Sequence, residues 1–319
     1  MIKTTITDLL GIERPIIQGA MGYISTAPLA AAVSNAGGLG IITSFNRDGV
    51  EQLRGEIRRA RELTDRPFGV NVVMNTANAD DVAQLCIEEG VKVVTTGAGN
   101  PSKYIPAWKQ AGIKVIPVVP SVRLALRMQE VGADAVVAEG TEAGGHVGEE
   151  TTMSLIPAVA DAVSIPVIAA GGIADGRSAA AAFMLGARAV QCGTVFICTP
   201  ECAAHERYKQ LVLESGASAT TVTGRLAGTP VRAVNTDFVR RLAALERKEG
   251  GEAELERLAT GSYPRAGLSG DMENGAVNAG QVLWAVKEMR PAAQIVRALS
   301  EGLERMLQSA VLLEGIRFE

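Results

Sequence analysis

PVIAAGGIADG, residues 166–176, passes within a few positions from an unbroken apolar run to two adjacent glycines and then to an aspartate. An apolar run without polar alternation is the mark of a strand buried on both faces, as in a parallel sheet. Adjacent glycines allow a sharp turn and leave main-chain N–H groups bare. Asp175 stands where a side-chain oxygen caps the start of a helix. The stretch therefore reads as one strand-to-helix unit of an α/β protein.

The same unit recurs on both sides of it. Apolar, β-branched runs lie at Pro15–Ala20, Gly38–Thr43, Phe68–Val73, Val91–Gly97, Lys114–Val119, Ala135–Glu139, Pro166–Gly171 and Ala189–Phe196. Between them fall amphipathic stretches at Val50–Leu63, Asp81–Glu89, Ser102–Gln110, Ser121–Val131, Met153–Val163 and Arg177–Leu185, several followed closely by the glycine that stops a helix. Eight strands in about 200 residues, each with its helical segment, is the count of a (β/α)8 TIM barrel. A doubly wound sheet would carry a Gly-x-Gly-x-x-Gly turn after its first strand, whereas Ala20-Met21-Gly22 stands there. The expected organisation is a barrel over 1–200 and, over 201–319, a small C-terminal cap or lid segment without a core of its own and a closing helix packed on the barrel. That second part holds a Thr-rich stretch, a charged helix (Phe238–Lys248), the turn-rich Gly261–Gly280 and a closing helix of about Ala292–Leu312.

Composition narrows the function classes. Net charge is −4 over 319 residues, so nothing in the bulk electrostatics favours nucleic acid or a membrane surface. No apolar run reaches the ~18 residues of a spanning helix, and Met1–Asp8 lacks a signal-peptide core; a cytoplasmic location is expected. The four cysteines, Cys86, Cys192, Cys198 and Cys202, form no CxxC pair. Neither a disulfide frame nor a metal site is expected, and small buried thiols are the simpler reading.

In a barrel of this kind the site lies at the C-terminal ends of the strands. Gly171-Gly172 after the seventh run could serve only a tight turn, but Gly193-Thr194 after the eighth matches it. Together they suit a phosphate cradled by main-chain N–H groups. Met21-Gly22, Thr43, Asn71, Thr95-Thr96-Gly97 and Glu139 add amide, hydroxyl and carboxyl groups around the mouth. No lysine is at a strand end for Schiff-base chemistry, and the set suits a flat ring with many hydrogen-bonding edges. His146 stands in Glu142-Ala143-Gly144-Gly145-His146-Val147-Gly148; glycines there let a ligand lie against backbone while the imidazole meets an oxyanion forming beside it. His205 reads as a helix-capping or exposed residue.

These segments resemble a known family. Gln18–Gly22, Gly69-Val70-Asn71, Glu142–Gly148, Ala169–Gly176 and Gln191-Cys192-Gly193-Thr194 are similar to the nitronate monooxygenase (2-nitropropane dioxygenase) family of FMN barrels. Ala227–Asn235 and Gly270–Gln281 look most like its enoyl-acyl carrier protein reductase II branch. The resemblance implies an FMN-dependent enoyl-[acyl-carrier-protein] reductase of bacterial type II fatty acid biosynthesis. NADH or NADPH would be co-substrate, a carrier protein the partner, and a homodimer the assembly; a monovalent cation is a further possibility. It implies phosphate contacts at Gly171, Gly172, Gly193 and Thr194, and ring or ribityl contacts at Met21, Gly22, Asn71, Glu139 and Gly145. Ala20, Thr43, Gly144 and Gln191 join these as cofactor candidates, His146 as the catalytic residue, and Asn278 and Gln281 as substrate-side candidates in the cap. Asn278 departs from the branch, where an apolar Met is expected. Arg225, Arg232, Arg240, Arg241 and Arg247 are candidate docking charges for an acidic carrier. The rivals are a nitronate monooxygenase using O₂, a non-catalytic flavin-binding barrel, and an inosine-monophosphate-dehydrogenase-like barrel. The last would need a cysteine where His146 stands.

Overall fold

A computed structural model describes residues 2–46 and 49–309. In chain order the strands are β1 (Ile16–Gln18), β2 (Gly40–Thr43), β3 (Phe68–Val73), β4 (Val93–Gly97), β5 (Lys114–Val119), β6 (Val136–Glu139), β7 (Gly145–His146), β8 (Val167–Ala170), β9 (Ala189–Cys192), β10 (Thr220–Thr223) and β11 (Val231–Val234). Eight of them pair in parallel in the order β1-β9-β8-β6-β5-β4-β3-β2. A parallel bridge between Ile17 and Leu39 brings β1 back against the segment leading into β2 and closes the ring. Each of the eight apolar runs contains its barrel strand. The eighth run is the least extended, because the chain turns at Gly193 into a 3-10 helix, Thr194–Phe196.

The pleat divides every strand between two apolar compartments. Ile17, Ile41, Val93, Ile116, Val137 and Ile168 fill the barrel interior together with Ile6 and Leu10. Those last two belong to the helix Thr5–Leu10, whose start is fixed by reciprocal Thr4/Thr7 capping bonds. This helix closes the N-terminal end of the barrel, so the opposite end is the one open to a ligand. Alternate residues such as Val70, Val94 and Val115 face the outer helices, where buried Trp108 donates its indole N–H to Ala83 O at 3.1 Å.

The closing helix Ala292–Ser309 packs against the helices Gly176–Met184 and Ala27–Asn35 as the outer helix belonging to β9. Glycine makes that seat possible. A Cβ on Gly176 would lie 2.2 Å from the main-chain carbon of Gly302, so the two backbones approach more closely than any side chain permits. The cap is thus an insertion, residues 200–291, between the last barrel strand and its helix. It has a small apolar cluster of its own around Phe238, Val239, Leu242 and Leu255, where none was expected. The turn-rich 261–280 stretch contains a helix, Ser262–Ser269. The expected end of the closing helix, Leu312, lies outside the described residues. Among those residues no helix is long and apolar enough to cross a membrane.

Candidate active site

A cavity of about 1230 Å³ opens at the C-terminal ends of the barrel strands under the cap. Sites for drug-sized ligands occupy about 300–1,000 Å³, so this one has room for a cofactor and a second molecule. It is lined by Ala20, Met21, Gly22, Thr43, Asn71, Glu139, Gly144, Gly145, His146, Gly171, Gly172, Gln191, Gly193, Thr194 and Asn278. Gln281 is the exception among the candidates. It starts the 3-10 helix Gln281–Ala285, its side chain is exposed outside the cavity, and its N–H donates to Glu142 O at 2.9 Å.

The glycine loops after β8 and β9 have the form of an anion cradle. Gly171 and Gly172 both have positive φ, +89° and +69°. A Cβ at Gly171 would press to 2.7 Å from Gly140 O. A Cβ at Gly193 would meet nothing nearer than Met21 Cγ at 3.9 Å, so that backbone faces open cavity. Among the described residues none of the N–H groups of Gly171, Gly172, Gly193 and Thr194 donates to a protein acceptor. Bare N–H groups converging beside a helix N-terminus favour an anion, and Asp175 fixes that helix start by accepting from Arg177 and Ser178. The phosphate of an FMN molecule fits these residues. Thr194 has a further use, since its Oγ1 accepts from Gly280 N–H at 2.9 Å and ties the cap to the cradle.

The strand ends supply the rest. Asn71 donates to Thr95 Oγ1 at 3.0 Å across β3 and β4. Gln191 packs over Gly19, where a Cβ would stand 3.0 Å from its Cδ. Gln18, fully buried, donates to Ser25 Oγ and accepts from Ile41 N–H; Ser25 Oγ in turn accepts from Met21 N–H at 2.9 Å, so the turn carrying Met21 and Gly22 is held from below. At the end of β6, burial pushes the Glu139 carboxyl up to about 7, which leaves it able to donate a hydrogen bond at neutral pH.

His146 is not on a free loop. With Gly145 it forms β7, which pairs antiparallel with β11 of the cap, His146 opposite Val231 and Gly145 opposite Arg232. The imidazole is exposed to the cavity, yet the surrounding protein lowers its pKa by desolvation, favouring the neutral ring. Gly144 is required for the close seat of this strand: its Cβ would lie 2.6 Å from the main-chain carbon of Ala279. Glu142, whose role the sequence reading did not foresee, anchors the other side by accepting from Thr152 N–H and Oγ1. Also unforeseen is the grouping of the scarce aromatics. Tyr23, Phe45 and Tyr263 meet at centroid distances of 4.8 and 5.9 Å along one rim. No spacing in the chain joins residues so far apart.

Three expected docking arginines are engaged within the protein. Arg232 is buried, donating to Thr141 O and Thr220 Oγ1. Arg240 bonds Asn235 O and Asp237, and Arg241 bonds Glu273 O. Arg225 and Arg247 remain exposed. All four cysteines are free and buried, and His205 caps the helix Glu206–Glu214 through Nδ1. Among the described residues no cluster could hold a metal ion.

A capped α/β barrel with an anion cradle and one imidazole over a deep cavity defines the class. The chain belongs to the nitronate monooxygenase family, whose model matches residues 3–302. FabK from Thermotoga maritima superposes with a TM-score of 0.94 at 45% identity, covering 98% of this chain and 99% of that one. The (3aS,4S,5R,7aS)-5-hydroxy-7a-methyl-1-oxo-octahydro-1H-indene-4-carboxyl-CoA dehydrogenase of Mycobacterium tuberculosis is 40% identical over 80% of this chain and 72% of its own. A probable nitronate monooxygenase of Staphylococcus saprophyticus is 36% identical, over 76% and 81% respectively.

Proposed function

We propose that this protein is an FMN- and NAD(P)H-dependent reductase of trans-2-enoyl thioesters, acting on acyl chains borne by a carrier protein. Relatives with different activities share the barrel, so membership of the family alone does not select the substrate. The observation that carries the reading is the whole-chain likeness to FabK, 98% of this chain at 45% identity, because it includes the cap that roofs the cavity. Bound FMN would supply hydride-level, two-electron chemistry between a nicotinamide and the enoyl thioester.

The chain's own groups have separate tasks. N–H groups at Gly171, Gly172, Gly193 and Thr194 would hold the phosphate, and Asn71 and Glu139 would meet the ring edge. Negative charge grows on the thioester oxygen as the β-carbon is reduced. Neutral His146 can place an N–H toward that oxygen, and one such donor is worth about 2.7–4 kcal/mol in the transition state. Arg225 and Arg247 are exposed charges suited to meeting an acidic carrier.

Anaerobic mixing tests the reading. NADH or NADPH should bleach the bound flavin, and crotonyl thioester should restore its colour. Bleaching by a nitronate without response to nicotinamide would instead support the nitronate monooxygenase reading, and a yellow protein inert to both would leave a binding barrel.

A further inference from the structure

Asn278 has a carboxamide whose hydrogen bonding the protein leaves incomplete. Its side-chain Oδ1 is buried and meets no donor, although the residue lines the cavity. Buried acceptors without partners are uncommon and disfavour the folded state. The backbone around it is pinned: Tyr208 O–H donates to Asn278 O at 2.7 Å, Val234 N–H to Val277 O at 2.8 Å, and Gly280 N–H to Thr194 Oγ1 at 2.9 Å. The carboxamide therefore cannot escape by shifting the main chain. A half-turn of the amide exchanges its oxygen and NH₂ group, and with the oxygen toward the cavity a ligand N–H can pair with it.

Its neighbour defines the ligand. The segment bearing Asn278 packs backbone to backbone against the His146 strand, and Asn278 Nδ2 lies 4.0 Å from the position of a Cβ on Gly145. Resting on the function proposed above, we infer that Asn278 is a specificity-determining residue that pairs with the first amide of a pantetheine-type thioester arm. In such an arm two methylenes separate sulfur from a secondary amide, whose N–H and C=O match a carboxamide's acceptor and donor. With a thioester carbonyl at His146 that amide follows only a few bonds further on, and Asn278 lines the same cavity beside Gly145. Coenzyme A and an acyl carrier protein share this arm, so Asn278 reads what they have in common. The competing partner is the flavin ring edge, but Asn278 belongs to the cap, whereas Asn71 and Glu139 stand on barrel strands.

The test uses flavin-loaded protein and two unreactive saturated ligands, S-butyryl-N-acetylcysteamine and the S-pentyl thioester of the same length without the amide. Dissociation constants are measured by calorimetry for the parent, Asn278→Leu and Asn278→Ala. The ratio of the two constants should move about tenfold toward the amide-free ligand in both variants, the size of one lost hydrogen bond read as a cycle. The alanine variant keeps the test open if leucine does not fit. A ratio unchanged within about twofold overturns the inference, as does a shift in flavin reduction potential with the ratio unmoved, which would give the residue to the coenzyme. Failure of the parent to bind either thioester, or to be reoxidised by crotonyl thioester, overturns the functional reading itself and is distinguishable from both.

Discussion

Replacing Glu139 by glutamine isolates the cost of burying a carboxyl group at the floor of the cavity. Burial moves this group from 4.5 to about 7. The folded protein therefore holds a proton between those values that the unfolded chain releases. Stability contributed by the protonated form is full below pH 4.5 and is lost as pH rises through 7. A tenfold change in proton affinity is worth about 1.4 kcal/mol, so the loss amounts to about 3 kcal/mol by pH 8. Glutamine keeps the shape without the titration. In flavin-free protein the Glu139→Gln variant should melt close to the parent near pH 5. At pH 8 it should melt higher by roughly 6 °C, taking about 2 °C per kcal/mol for a chain of this size. Thermal unfolding of both proteins between pH 5 and 8.5, followed by circular dichroism, measures the difference. A gap that stays constant with pH, or one that narrows as pH rises, would refute the argument, since it would mean Glu139 is already ionised in the folded state at neutral pH.

Other perturbations reach different parts of the structure. His146→Ala should retain FMN, judged by absorbance, while enoyl thioester turnover falls about 100-fold or more; a loss under twofold would remove the imidazole from the reaction. Gly171→Ala forces a side chain against Gly140 O at positive φ and should yield protein with little bound flavin. Gly176→Ala drives apart two helices whose backbones touch, and a cost of about 2–3 kcal/mol should appear as a lower melting temperature with flavin binding weakened less. Tyr208→Phe removes the donor to Asn278 O and should cost about 1 kcal/mol, while broadening the amide preference assigned to Asn278.

Much of the barrel was legible because its information is local. A strand buried on both faces must be apolar at consecutive positions, so all eight runs stand out, and β3 and β5 coincide with theirs at both ends. That the candidate residues would line one cavity was legible for a related reason. The chain must turn at the end of every strand, so polar groups and glycines placed there share one rim whatever the helices do. Gln281 lies outside the cavity because the chain turns there into the 3-10 helix Gln281–Ala285, which carries its side chain to the exposed side. The burial of Arg232 was not legible, because an exposed arginine and one bonded inside the protein to a carbonyl and a hydroxyl have the same letter.

By itself the chain determined the strand count, the parallel ring and the glycine loops that leave N–H groups bare, since each follows from a few adjacent residues. Only the tertiary structure decided that the closing helix serves as the outer helix of β9, that 200–291 is an insertion roofing the mouth, and that His146 is clamped in a sheet with β11. It alone joined Tyr23, Phe45 and Tyr263, and left Asn278 short of a partner. Contacts between distant segments depend on the packed volume of the whole molecule, where a missing Cβ at Gly144, Gly176 or Gly302 sets which backbones can touch, and no periodicity along the chain carries that information.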